Sequence, residues 1–248
     1  MGVPWAGSVL FSGMGGCMGY FGDGLHKALE LLLHMDEATF SAIEATLVST
    51  SWALLAAASI GLPLGFLLGY TSFPGKKAIR LVSDTLLAFP TVLIGLIVYV
   101  FITHRGPLGQ FGLLFTIPGM VIGQTILALP IVVSWTAQAV ENLDRRCRET
   151  LLTLGTSPAQ IIVHTIREIR YDLGMVCVTA FGRVVTEVGI AMMLGGNIRY
   201  ATRTMTTAIS LETSKGEFAQ GIALGMVLLL IAFLVNFLMT WLRHRGRA

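Results

Sequence analysis

Four long stretches without charge constrain this chain more than any other feature. No Asp, Glu, Lys or Arg occurs over residues 45–75, 85–104, 106–140 or 218–242. A helix needs about 20 mostly apolar residues to cross the hydrocarbon core of a bilayer, and each stretch supplies them. The apolar runs are continuous and lack the two-residue alternation of barrel strands. The expectation is therefore an all-α integral membrane protein. Charged residues make up 12% of the chain, against roughly 25% in an ordinary soluble domain, and mean hydropathy is +0.75. With a formal net charge of only +3, the composition excludes a disordered chain, a small disulfide scaffold and a basic nucleic-acid-binding domain.

Five spans are expected, over 46–70, 81–103, 116–140, 173–195 and 218–242. The fourth is apolar but carries Arg183 and Glu187. Pro63, Pro90, Pro118 and Pro130 fall in the spans, where neighbouring helices can satisfy the carbonyls that proline frees. Gly61 and Gly65 form a small-xxx-small pair that permits close helix approach. Three segments expected on one side (the 71–80 loop, the 141–172 loop and the tail from 243) hold eleven Lys and Arg residues, against five on the other side. By the positive-inside rule the N-terminus is outside and the C-terminus cytoplasmic. Residues 1–45 form an outer segment, with a short interfacial helix expected at 25–33 on Leu25, Leu29, Leu32 and Leu33. Residues 46–242 form the transmembrane domain, and 243–248 the cytoplasmic tail.

Nothing in the chain points to catalysis. Cys17, Cys147 and Cys177 form no CxxC pair, and the five histidines show no metal spacing. Neither a phosphate-binding glycine loop nor a nucleophile elbow is present. No cofactor or metal is expected.

The 141–172 loop is the most informative segment. It reads ENLDRRCRETLLTLGTSPAQIIVHTIREIRYD. Helical composition over 143–154 leads to Gly155, placed to end that helix. Ser157 is an expected N-cap, with Pro158 at the first helical position and Gln160 completing a capping box before a helix over 159–170. Connectors between spans are usually a few residues long, so this loop suggests a docking element. It resembles the EAA motif of ABC-importer permeases. Glu149-Thr150-Leu151, three residues and then Gly155 keep the motif's spacing, and Thr156-Ser157-Pro158 continue in the family's manner. Arg167-Glu168 departs from the family's usual Leu-Pro.

The resemblance covers about residues 41–242. It narrows over 181–218, where Gly195-Gly196-Asn197-Ile198-Arg199, Thr202-Arg203-Thr204 and Leu211-Glu212-Thr213-Ser214-Lys215-Gly216 are similar to permeases of tungstate importers in the molybdate/tungstate/sulfate group. The resemblance implies a type I ABC-importer permease fold of about five transmembrane helices in the cell membrane. It implies a homodimer, two cytoplasmic ABC ATPase subunits gripping the loop at Glu149, Leu154, Gly155, Thr156, Ser157 and Pro158, and an outer substrate-binding protein. The cargo would be a small oxyanion, tungstate first and molybdate, sulfate or another anion as alternatives. ATP hydrolysis would belong to the separate subunit.

Arg183 and Glu187 lie roughly 15 and 21 Å from the inner end of their expected span at 1.5 Å per residue, near mid-bilayer, where ionisable groups mark function. Two readings stand: a structural ion pair, or an element of the path and its gate. The outer loop 196–217, with Asn197, Arg199 and Arg203 and hydroxyls at Thr202, Thr204, Thr206 and Thr207, is either a solvated loop or a docking surface and anion entry. A secondary carrier or channel is the rival class, and a membrane-embedded enzyme the third.

Overall fold

The computed structural model describes residues 26, 30, 33, 36–143 and 157–247. Regular structure among them is helical: α1 (Glu37–Tyr70), α2 (Lys76–Leu87), α3 (Thr91–Ile102), α4 (Ile117–Glu141), α5 (Pro158–Glu168), α6 (Arg170–Val185), α7 (Gly189–Gly195), α8 (Met205–Ser214) and α9 (Phe218–Arg247). Of the helix expected at 25–33, only His26, Glu30 and Leu33 are described, each helical and exposed.

Three helices, α1, α4 and the 218–237 part of α9, are long and apolar enough to cross a membrane singly. The first starts at Glu37 rather than near 46. Asp36 caps it by accepting the Thr39 backbone N–H at 2.8 Å, and the helix persists past the charges that marked the expected boundary. The expected single helices over 81–103 and 173–195 are each broken. The axes of α2 and α3 differ by 97°, and those of α6 and α7 by 62°. Pro90 explains the first break, because it lacks an N–H and forces the preceding residue out of the helical region. Glu187 organises the second, as described below. Counting each bent pair as one crossing gives five spans.

The helix directions support that count. A Cβ on Gly61 would meet Val132, one on Gly65 would meet the Val133 carbonyl at 2.6 Å, and one on Gly69 would meet the Ala137 carbonyl at 2.6 Å. The partner number rises with the glycine number, so α1 and α4 run parallel. The chain between them must then return to the side where α1 began, which is what α2 and α3 do as one broken crossing. Small residues recur every fourth position along α1 at Ala45, Ser49, Ala53, Ala57, Gly61, Gly65 and Gly69. At 3.6 residues per turn this row drifts about 40° per step, and it meets α6 at Ala53 and Ala57 and α4 down to Gly69. Ala53 and Ala57 pack with Ala128, Val132, Val176 and Ala180 in one core cluster. A second joins α3, α4 and α7 through Ile94, Val98, Met120, Leu127 and Ile190.

Helix α2 is inverted relative to a surface helix of a soluble protein. Its polar edge turns inward: Lys76 pairs with Glu141 at 3.0 Å, Arg80 with Asp84 at 3.5 Å, and Arg80 Nη1 donates to the Ser134 carbonyl at 3.0 Å. Ser134 in turn donates to Asp84 at 2.9 Å. Ile79, Leu81, Val82 and Leu86 are left exposed, as an apolar solvent requires. The expected outer loop 196–217 is also corrected, since it folds into α8 and buries its hydroxyls. Thr204 caps α8 in a box with Thr207, and Thr202, Thr204, Thr206 and Thr207 are all buried.

Substituting Gly65→Leu is expected to lower the melting temperature in detergent by about 2–12 °C, from ~1–3 kcal/mol of overpacking at ~2–4 °C per kcal/mol. Gly182→Ala, inside α6 where a Cβ meets no atom within 4 Å, is the control and should not lower it, since helical propensity favours alanine by about 0.5–1 kcal/mol. Thermal unfolding followed by circular dichroism checks both.

Candidate functional site

The break between α6 and α7 carries the chain's mid-span charges. Helix α6 ends at Val185, and Thr186 and Val188 lie between the two helices. The new helix start needs acceptors for its free N–H groups. Glu187 supplies them: its Oε1 accepts from the Gly189 N–H at 3.0 Å and the Ile190 N–H at 3.4 Å. Its other oxygen, Oε2, accepts from Arg183 Nη1 at 2.8 Å. The side chain of Glu187 is 5% exposed and that of Arg183 41%, so the carboxylate is interior and the guanidinium stands at an open face. A Cβ at Gly189 would come within 3.3 Å of Glu187 Oε1 and 3.2 Å of Val92, so glycine there lets the carboxylate reach the amides beneath α3.

The break is tied to α8 and, through it, to α1. Thr206 Oγ1 donates to the Glu187 carbonyl at 3.0 Å. One residue earlier, the Met205 N–H donates to Thr46 Oγ1 of α1 at 2.9 Å. Thr206 and Thr46 are positions the sequence reading did not single out for this role. Their signal was only a hydroxyl in an apolar run. Gln124 is of the same kind: it is 2% exposed within α4, and its Oε1, like the Oγ1 atoms of Thr50 and Thr136, is buried without a hydrogen-bond partner among the described residues.

The other expected site residues are distributed as follows. Arg203 Nε donates to Asn197 Oδ1 at 3.1 Å and Arg203 Nη2 to the Asn197 carbonyl at 3.4 Å, so these two hold a turn in which Asn197 itself has φ 52°. Arg199 is separate from them, exposed and lying over the Tyr200 ring at 4.8 Å. Glu149, Leu154, Gly155 and Thr156 lie outside the described residues. Ser157 and Pro158 open α5 with the expected capping box to Gln160. That helix ends at Glu168 rather than 170, because α6 starts at Arg170 after the buried Ile169. A cavity of about 650 Å³ beside this junction is lined by Trp135 and Gln138 of α4, by Asn142 just after it, and by Glu168, Asp172 and Thr179. Among the described residues no group of three or more His, Cys, Asp or Glu is placed to hold a metal.

Known proteins place this arrangement. The family model described as binding-protein-dependent transport system inner membrane component matches residues 61–247. The tungstate uptake system permease protein TupB of Campylobacter jejuni is 51% identical over 88% of this chain and 92% of its own. The protein of the same name from Peptoclostridium acidaminophilum is 36% identical over 88% of this chain and 96% of its own. Among solved structures, a chain of a bacterial alginate ABC transporter, crystallised with its alginate-pentasaccharide-bound periplasmic protein, superposes with a TM-score of 0.70 at 16% identity. That match covers 96% of this chain and 94% of the other, and at such identity it is a likeness of fold.

Truncating the two partners of the ion pair should not be equivalent. Glu187→Ala leaves two backbone N–H groups and a guanidinium without their acceptor, and is expected to cost ~2 kcal/mol or more. Arg183→Ala leaves Glu187 on its two amides and should cost less. Melting temperatures of both variants in one detergent check the order.

Proposed function

The chain belongs to the family of binding-protein-dependent transport system inner membrane components, and from that premise we propose that it is the membrane-spanning permease of an ATP-driven importer carrying tungstate into the cell. The likeness to the tungstate uptake permease, 51% identical over nearly the whole of both chains, carries the substrate. Three helices able to cross a membrane and two bent pairs suit a multi-pass inner-membrane protein. Eleven inner against five outer basic residues support an outer N-terminus and a cytoplasmic C-terminus.

Import then needs partners. Two copies of the chain enclose the path, because one copy leaves the α6 face with Thr179, Arg183 and Thr186 exposed. A periplasmic or extracellular binding protein docks on the outer turn at Asn197, Arg199 and Arg203. Two cytoplasmic ATPases grip the 141–172 loop through Glu149, Leu154, Gly155, Thr156, Ser157 and Pro158. The ion pair of Arg183 and Glu187 lines the path. ATP-driven closure draws the loops together and rocks the spans between outward-open and inward-open states, two packings whose balance nucleotide and cargo bias. The chain itself performs no catalysis in this scheme.

Proteoliposomes holding the permease, its ATPase and its binding protein test the proposal by uptake of labelled tungstate. Uptake should require ATP and the binding protein, and excess unlabelled tungstate should compete better than molybdate or sulfate. Gly155→Trp should reduce ATP-driven uptake by about tenfold or more, equivalent to ~1.4 kcal/mol or more of lost coupling, while the two permease copies still assemble. Uptake that persists without ATP would make the chain a secondary carrier.

A further inference from the structure

We propose that Glu187 is a built-in stand-in for the transported oxyanion: it holds Arg183 when the path is empty and yields it to a passing dianion, so that Arg183 forms a transient anion subsite inside the membrane. This inference rests on the oxyanion-importer reading and deepens it. Three observations carry it.

The first is the spare capacity of Arg183. A guanidinium has five N–H donors, and the hydrogen bond recorded for Arg183 uses Nη1 alone, toward Glu187 Oε2 at 2.8 Å. Its side chain is 41% exposed although it lies far along α6, about 20 Å from Arg170 at 1.5 Å per residue. A planar fork of this kind suits two oxygens of a tetrahedral oxyanion.

The second is the independence of Glu187. A buried carboxylate that loses its only partner is strongly disfavoured. Here the Gly189 and Ile190 amides donate to Oε1, the oxygen that Arg183 does not use. Releasing the guanidinium frees Oε2 but leaves Oε1 held by two amides, which lowers the cost of the exchange below that of a carboxylate with no other donor.

The third is space. A Cβ built on Gly182, the neighbour of Arg183, meets nothing within 4 Å, and Thr179 and Thr186 are exposed on the same face. The anion therefore has room beside the guanidinium. Arg183 and Glu187 are also the charged side chains of the chain between Asp172 and Arg199, so the empty subsite is a neutral pair.

Release follows from the same arrangement. When a dianion sits on Arg183, the Glu187 carboxylate stays close by as a like charge and weakens the complex. An intermediate site in a transport path must let go of what it binds, and the returning carboxylate supplies the competition. Arg183 is thus the contact residue and Glu187 a positioning and releasing residue.

The test uses the complete transporter, with permease, ATPase and binding protein in lipid nanodiscs and proteoliposomes. The probes are tungstate and perrhenate, tetrahedral anions of double and single charge. Glu187→Gln keeps an oxygen for the two amides and removes the charge. It should increase the tungstate retained by the nanodisc complex by about tenfold or more while slowing uptake, because the competing charge is gone. Arg183→Gln should abolish retention and lower the tungstate-to-perrhenate uptake ratio, and Arg183→Lys should restore part of it. If both variants slow uptake equally, with retention and the anion ratio at the wild-type level, the pair is structural and the exchange is overturned. A wild-type complex that takes up neither anion overturns the oxyanion reading itself, and the exchange with it.

Discussion

An apolar solvent accepts no free backbone hydrogen-bonding group, and both bends of this bundle are solutions to that constraint. At the first, Pro90 removes one donor, and the Ala88 and Phe89 N–H groups turn back onto the Thr85 and Leu86 carbonyls at 3.1 and 3.2 Å. At the second there is no proline. The amides that open α7 are instead met by a carboxylate carried in the break itself. The first solution uses a missing donor and is electrically neutral. The second introduces a negative charge deep in the protein, and Arg183 one turn earlier balances it. The Arg183–Glu187 ion pair is therefore a consequence of how the bend is made.

The parallel packing of α1 against α4 sets where the bends can be. With Gly65 and Gly69 so close to the carbonyls of α4, these two helices form one rigid unit, and α2 with α3 must recross beside it. The polar edge of α2 anchors that return: Lys76 and Arg80 reach Glu141 at 3.0 and 3.8 Å. A cavity of about 630 Å³ remains in the elbow, lined by Leu64, Phe73, Ile79, Leu86, Ile97 and Ile126 among other apolar residues. The unit packs against α6 mainly through alanines and valines, Ala53, Ala57, Ala128 and Val132 against Val176, Ala180 and Val184.

What the sequence disclosed follows the physics of each signal. A charge-free run reports burial in lipid whatever its direction, so α1, α4 and α9 were legible. A bend changes direction without changing hydropathy, so the breaks at Pro90 and Glu187 were not. Proline was an ambiguous cue: Pro63 and Pro130 sit inside unbroken helices while Pro90 ends one. Ser157 with Gln160 was read correctly because a capping box is local chemistry. The equivalent box at Thr204 uses Thr207 in place of Glu or Gln, and α8 was taken for a loop. The spacing of Arg183 and Glu187 was legible as an i, i+4 pair. That Glu187 also caps the next helix was not, because the cap depends on where α6 stops.

The hydrogen bonds of α8 give the break a mechanical reach. Its first turn holds the Glu187 carbonyl through Thr206 and the α1 hydroxyl of Thr46 through the Met205 N–H, at 3.0 and 2.9 Å. Thr202 meanwhile joins the Gly195 carbonyl at the end of α7 to the Ile198 N–H, and Arg203 closes the same turn on Asn197. The outer turn, α7, the charged break and α1 are thus linked in one chain of short polar contacts running through apolar surroundings. Such contacts are directional and strengthened by a low-dielectric interior, so they hold the 195–203 turn to α7, and α7 carries the amides on which Glu187 rests.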